Sequence, residues 1–305
     1  MDSTVVQRTI PEIIERHALH DDIREVFVEG SEDRRFYQHF LNTRGLSEVS
    51  VYSIDTVEIA PDKVNKLGLT DGNRGRVITL AALLDDRISE YAVVCIADKD
   101  LDYILDSATD YKLLLFTDCT ALDTYAFDLS TLTKYVNIGI QKFPKNPAKI
   151  ITELSILLRE SFLIRAAAAK LGIIGRFPDS RDEGRAKYSQ FCEFDRKTQL
   201  PSFNKSSYIT SCFKNTTSAA DIERLHIQIE ELRMLLPPVP DQACHGHEFR
   251  EAFGWYIRQH DGFRTLNPAT LTRTLLVAID MEQLEARPLF KELLRRMGHK
   301  TSDAT

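Results

Sequence analysis

The feature that most constrains this chain is a pair of apolar runs that both end in carboxylates. Glu25-Val26-Phe27-Val28 leads into Glu29-Gly30, and Tyr91-Ala92-Val93-Val94-Cys95-Ile96-Ala97 leads into Asp98-Lys99-Asp100-Leu101-Asp102. A strand buried on both faces reads as a continuous hydrophobic run, the mark of a parallel sheet covered by helices. Ligands of open α/β sheets bind beyond the carboxyl ends of the strands. Two such strands side by side would gather oxygen ligands suited to a hard cation. Mg2+ takes few protein carboxylates and leaves its remaining positions to water or phosphate.

The surrounding pattern supports an α/β fold. Thr9-Ile10-Pro11-Glu12 is a helix start, with Thr9 as cap and Pro11 in the first turn, so a helix is expected within 5–24. Ser31 is expected to cap a second helix over 32–43, whose Phe36, Tyr37, Phe40 and Leu41 recur at helical spacing before Gly45. Residues 49–54 alternate like a strand, 73–90 read as a helix, and Leu113-Leu114-Leu115-Phe116 as a fourth strand. The order strand, helix, strand, helix, strand, strand predicts a mostly parallel, Rossmann-like sheet with helices on both faces. Beyond Asp128 the pattern turns helical, with helices expected over 147–171, 218–236, 247–260 and 267–297, and a loop-rich segment over 172–216. The expected division is a metal-binding core over 1–130, a basic helical and loop-rich insertion over 131–236, and a C-terminal helical segment over 237–305.

Charge is unevenly spread. The net charge is −6, yet residues 131–216 hold 15 Lys/Arg against 7 Asp/Glu, a balance of +8, and the rest of the chain carries −14. A basic middle beside an acidic crevice suggests a surface facing a polyanion; a solvated helical face with a positive lean is the plainer alternative. Five cysteines without a C-x-x-C pair fit a reducing compartment, and the polar N-terminus has no apolar leader, so a cytoplasmic protein is expected. The most hydrophobic long stretch, Ile150 to Ala169, is interrupted by Glu153, Arg159, Glu160 and Arg165, which excludes a membrane span.

The Glu-Gly ending one strand and the Asp-x-Asp ending a later one, with a β-α unit between, resemble the TOPRIM signature of topoisomerases, primases and OLD-family nucleases. Asp33 with Arg35-Phe36-Tyr37, the aspartates at 98, 100 and 102, Thr117-Asp118, and Leu122-Asp123-Thr124-Tyr125 narrow the likeness to an anti-phage effector group. It is similar to the AriB effector group of PARIS defence systems. Gly246-His247-Glu248 looks like the late Gly-His-acid element of such chains, while Asp123 stands where these relatives tend to carry Glu. The resemblance covers residues 25–130 well. It implies an endonuclease using Mg2+, or Mn2+, restrained by an ABC-type ATPase partner, and active as a homodimer that cuts host tRNA.

Read residue by residue, Asp98 and Asp100 are the first candidates for metal ligands, since two carboxylates so close repel unless a cation or protons intervene. Asp102 either joins them or caps the following segment. Glu29 either ligates metal or acts as general base; the plainer reading is a carboxylate at a helix N-terminus, and Asp33 divides the same way. Asp123 completes the expected metal set, and His247 and Glu248 are candidates for proton transfer. Lys99, Lys142, Lys145, Arg176, Arg181, Arg185, Lys187 and Lys205 are the candidate phosphate contacts. Phe143, Phe177, Tyr188, Phe191, Phe194, Phe203 and Tyr208 are interleaved with them, ready to stack on unpaired bases or to form core. Three rivals stand beside the ribonuclease reading: a DNA nuclease, a non-catalytic subunit that keeps the fold and binds an ATPase, and a haloacid-dehalogenase-type phosphatase. The phosphatase is disfavoured because its Asp-x-Asp sits on the first strand, not the third.

Overall fold

Thr9 starts the first helix as its sequence demands. Its hydroxyl accepts from the Glu12 N–H, while the Glu12 carboxylate accepts from the Thr9 N–H at 2.6 Å, so α1 runs over Ile10–Leu19. A computed structural model describes residues 7–105, 109–179, 184–214, 217–236 and 242–298. The chain divides into two compact units. The first takes in Met1–Lys99, Ala108–Asp118 and Met281–Thr305; the second takes in Asp100–Ser107 and Cys119–Asp280.

In the first unit β1 (Glu25–Val28), β2 (Ser50–Ser53), β3 (Val93–Ala97) and β4 (Leu114–Phe116) form one sheet in the order β2-β1-β3-β4. All three pairings are parallel, with Phe27 opposite Cys95 and Ala97 opposite Phe116. The two central strands are buried along their whole length, which is why they read as unbroken apolar runs. Phe27, Val93, Cys95 and Ala97 point into a core shared with Ile10 and Ile13 of α1, Val64 of α3 (Pro61–Lys66), and Val77, Ile78, Leu80 and Ala81 of α4 (Asn73–Leu84). Successive strand residues alternate faces. Phe36, Tyr37, Phe40 and Leu41 of α2 (Ser31–Thr43) are buried outside that core, and Tyr37 and Phe40 pack on Phe290 of the helix Pro288–Met297. Helices therefore cover both faces, as expected of an α/β sheet.

The C-terminal residues join this unit through Asp118 at the end of β4, whose carboxylate accepts from the Leu289 N–H and so caps the last helix. The single helix expected over 267–297 is instead three: Pro268–Ala278, Met281–Glu285 and Pro288–Met297. Arg287 is extended, as a residue before proline must be, and Pro288 then opens a new helix.

In the second unit α5 (Asp102–Leu105) and α6 (Leu129–Lys134) precede the long α7 (Pro147–Lys170), whose inner face is almost wholly buried. The segment expected to be loop-rich contains an antiparallel hairpin, β5 (Cys192–Asp195) with β6 (Leu200–Phe203), and α8 (Lys205–Phe213). Then follow α9 (Ala219–Leu235), α10 (Gly246–Gln259) and α11 (Pro268–Ala278). The basic stretch 131–216 lies wholly within this unit. Among the described residues no helix is long and apolar enough to cross a membrane.

Candidate functional site

The carboxyl ends of β1 and β3 meet through side chain and backbone. Glu29, the residue after β1, accepts the Asp98 N–H on its Oε1 at 2.8 Å, and Asp98 is the residue after β3. Parallel pairing of adjacent strands in register delivers the two residues to the same edge of the sheet. Both are half-buried, as is Lys99. Asp33 reaches back from the first turn of α2 to accept the Gly30 N–H at 2.8 Å. This bond makes Gly30 the helix cap, one residue ahead of the expected Ser31. The alternative of a helix-terminus carboxylate is thus realised in Asp33.

Two residues at the start of α4 join this edge and were not picked out from sequence. The Asn73 amide donates to the Glu29 carbonyl at 2.9 Å, and Arg74 Nε donates to the Asp98 carbonyl at 2.8 Å. The Arg74 guanidinium also lies over the Phe116 ring, 5.7 Å from its centroid. Gly75 explains the close packing of this turn, since a Cβ there would stand 2.2 Å from the Thr70 carbonyl oxygen. Thr117, noted from sequence only as part of a motif, accepts the Lys99 N–H on its hydroxyl at 2.9 Å.

The remaining candidate acids belong to the second unit. Asp100 adopts a left-handed backbone, φ 46°, tolerable for Asp, and its N–H donates to the Thr120 carbonyl at 2.8 Å. Asp102 opens α5. Asp123 is buried and paired with Arg250 Nε at 2.6 Å. Gly246 lets the start of α10 approach it: a Cβ there would lie 2.8 Å from the Ala121 Cβ and 3.4 Å from Asp123 Oδ2. His247 is half-buried with its ring 5.6 Å from that of His245.

Glu248 departs most from its expected role. It is 1% exposed and accepts from Ser161 Oγ at 2.7 Å, Arg165 Nε at 2.8 Å and the Tyr208 hydroxyl at 2.6 Å. Burial and the Glu248 charge push the Tyr208 hydroxyl well above its ordinary value, so it stays a donor. This is a core ion pair between α7, α8 and α10, in place of the exposed proton donor or acceptor the sequence suggests.

The basic residues also sort themselves. Lys145 is committed internally, to Glu153 at 2.9 Å and the Gln199 carbonyl at 2.8 Å, so it is a brace and not an open phosphate contact. Lys205 pairs with Glu230 at 3.6 Å. Lys142, Arg176, Arg185 and Lys187 are exposed; Arg181 lies outside the described residues. Of the interleaved aromatics, Phe143, Tyr188, Phe191 and Tyr208 are core, while Phe177, Phe194 and Phe203 are half-buried and pack on neighbouring rings.

Among the described residues no group of three or more His, Cys, Asp or Glu is placed to hold a metal ion. Mg2+ is commonly held by one or two carboxylates with water and substrate phosphate completing its shell. Glu29 and Asp98, hard oxygen donors joined at the edge of the sheet, fit that smaller demand. No protein-family model matches the chain, and no curated protein matches it in sequence.

Proposed function

We propose that this protein is a Mg2+-dependent phosphodiester hydrolase of the TOPRIM kind, acting as an endoribonuclease. The observation that carries this reading is the bond from the Asp98 N–H to the Glu29 carboxylate, at the carboxyl ends of two adjacent parallel strands. That edge is where open α/β sheets bind their ligands. Glu29 and Asp98 are the residues that would hold the cation, with Asp33 beside them. A divalent cation supplies Lewis acidity toward phosphate and makes water acidic enough to attack near neutral pH. Glu29 is the candidate general base, and Lys99 brings a positive charge to the same loop for phosphate. The resemblance adds the biological setting of the proposal: an anti-phage effector, held by an ABC-type ATPase until released, dimeric when active, and aimed at tRNA.

The test is incubation of the purified full chain with total RNA and Mg2+. Discrete fragments that disappear with Glu29→Ala or Asp98→Ala support the proposal; intact RNA with all proteins defeats it. Sequencing RNA ends from cells expressing the chain with and without the ATPase would identify the cut. Binding should also weaken steeply with salt if the exposed lysines and arginines of the second unit grip phosphates. A second reading, a non-catalytic subunit keeping the fold, draws on the lack of a three-acid group among the described residues. Unchanged RNA together with tight ATPase binding would favour it.

A further inference from the structure

The two peptide planes on either side of the Asp98 Cα are each held at both ends. In the plane before it, the Ala97 carbonyl accepts from the Thr117 N–H at 3.1 Å and the Asp98 N–H donates to Glu29 at 2.8 Å. In the plane after it, the Asp98 carbonyl accepts from Arg74 Nε at 2.8 Å and the Lys99 N–H donates to Thr117 Oγ1 at 2.9 Å. A trans peptide is rigid, so a residue's only soft dihedrals are the φ and ψ between its two planes. Fixing both planes fixes both dihedrals, and with them the direction of the Cα–Cβ bond.

The regular sheet supplies only the first of these four bonds. The other three come from side chains of three separate elements: Glu29 after β1, Arg74 in α4 and Thr117 after β4. Thr117 alone makes two, one with its backbone and one with its hydroxyl. No ordinary requirement of strand pairing asks for them, because β3 ends at Ala97. A chain leaving a strand is normally among the first parts to move; here both of its peptide planes are tied. We infer that Arg74 and Thr117 are positioning residues whose task is to aim the Asp98 carboxylate. The inference rests on the proposed metal-dependent reading and deepens it, by naming the groups that act through Asp98 without touching the cation. Outer partners of this kind set ligand direction, and their loss weakens metal binding or activity about 10- to 100-fold.

Backbone amide exchange and Mn2+ uptake, followed by electron paramagnetic resonance on the full chain, test this together. Thr117→Val keeps the side-chain shape but removes the acceptor. It should speed exchange at the Lys99 amide at least about 10-fold, with Val93 to Ile96 unchanged as the control for intact folding. Thr117→Val and Arg74→Ala should each weaken Mn2+ binding about 10- to 100-fold, while Thr117→Ser, which restores the acceptor, should return both readouts close to wild type. The inference is overturned if the Lys99 amide of Thr117→Val exchanges as in wild type. It is equally overturned if both variants bind Mn2+ as wild type does while Asp98→Asn does not. An Asp98→Asn protein that binds Mn2+ normally removes the metal reading itself; that failure is distinguishable, because the amide measurement needs no metal.

Discussion

Strand β1 has a glutamate at each end, Glu25 as its first residue and Glu29 just after its last, and their surroundings differ. Glu25 opens the strand with a fully buried side chain. Arg8 and Arg16 each approach its Oε1 at 2.9 Å, and His17 Nε2 lies 3.2 Å from its Oε2. Burial alone would raise its pKa, but His17, Arg8 and Arg16 outweigh it and hold the carboxyl below the usual range. Glu29, at the other end, is half-buried and accepts the Asp98 backbone N–H. A carboxylate surrounded by fixed cations has its charge already balanced and can only brace. Glu29, by contrast, takes the Asp98 backbone N–H on one oxygen at the carboxyl end of the strand. The same strand is thus anchored at its amino end by a buried ion cluster, and its carboxyl end is where the proposed reaction would take place.

The sharpest way to break this contrast is to remove the brace. Glu25→Ala leaves two arginines and a histidine without their shared counter-charge, and stripping one partner from a buried ion pair typically costs about 3–5 kcal/mol. Urea denaturation should register a loss of that size, with the sheet of the first unit unfolding earlier. A loss below about 1 kcal/mol would mean that water replaces the carboxylate easily and that Glu25 is no more structural than Glu29.

Glu248 extends the comparison to the second unit. Its late Gly-His-acid motif suggested chemistry, yet its surroundings repeat those of Glu25, not of Glu29. Glu248→Gln keeps the shape and one acceptor but leaves Arg165 with no charge partner, so a loss of about 1–3 kcal/mol is expected. RNA cleavage at a temperature where the variant stays folded should persist. Abolished cleavage in a fully folded variant would return Glu248 to the reactive class.

These cases show why parts of the molecule were legible in sequence and others were not. The two central strands could be read because burial on both faces writes itself as an unbroken apolar run, β2 because its residues alternate, and the Thr9 cap because its partner is three residues away. The β5–β6 hairpin escaped because its strands are four residues long and Pro201 sits inside one of them. Proline is tolerated there only because a two-stranded sheet is all edge. Arg74 escaped because it lies 24 residues from Asp98 and 45 from Glu29, and only the strand order brings α4 to their end of the sheet. Glu248 was legible as a residue of note but not as a core ion pair, since Arg165 and Tyr208 are 83 and 40 residues distant.

His260 tests the same logic with the sign reversed, a buried base whose ring nitrogens have no hydrogen-bond partner among the described residues. It is 1% exposed among the rings of Phe143, Phe194 and Tyr256, at 4.8, 5.2 and 5.1 Å. Burial and then the charge of Lys145 hold its pKa below the ordinary value, against weaker pulls from Glu153 and Asp261. The unfolded chain therefore binds a proton at a higher pH than the folded one. Stability from this group is complete above the unfolded value of about 6.5 and falls as pH drops toward the lower folded value. Thermal melting of wild type should decline across that window, and His260→Phe should flatten the decline even if it lowers stability at neutral pH. A slope unaltered by the substitution would show that other groups set the acid response.

The smallest expected effect on stability carries the most weight for function. Glu29→Gln retains a carbonyl oxygen able to accept the Asp98 N–H, so folding free energy should change by no more than about 0.5 kcal/mol. Glu29→Ala also removes the acceptor and should cost about 1 kcal/mol. Both lose the charge, so both should lower Mg2+-dependent RNA cleavage by at least about 100-fold. A brace would behave otherwise: the glutamine, still able to accept the bond, would cleave nearly as well as wild type while only the alanine failed. The ratio of the two variants' rates, measured at saturating Mg2+ on folded protein, therefore separates a carboxylate that only holds Asp98 from one that also acts on the phosphate. If Gln cleaves like wild type, the two ends of β1 are alike after all.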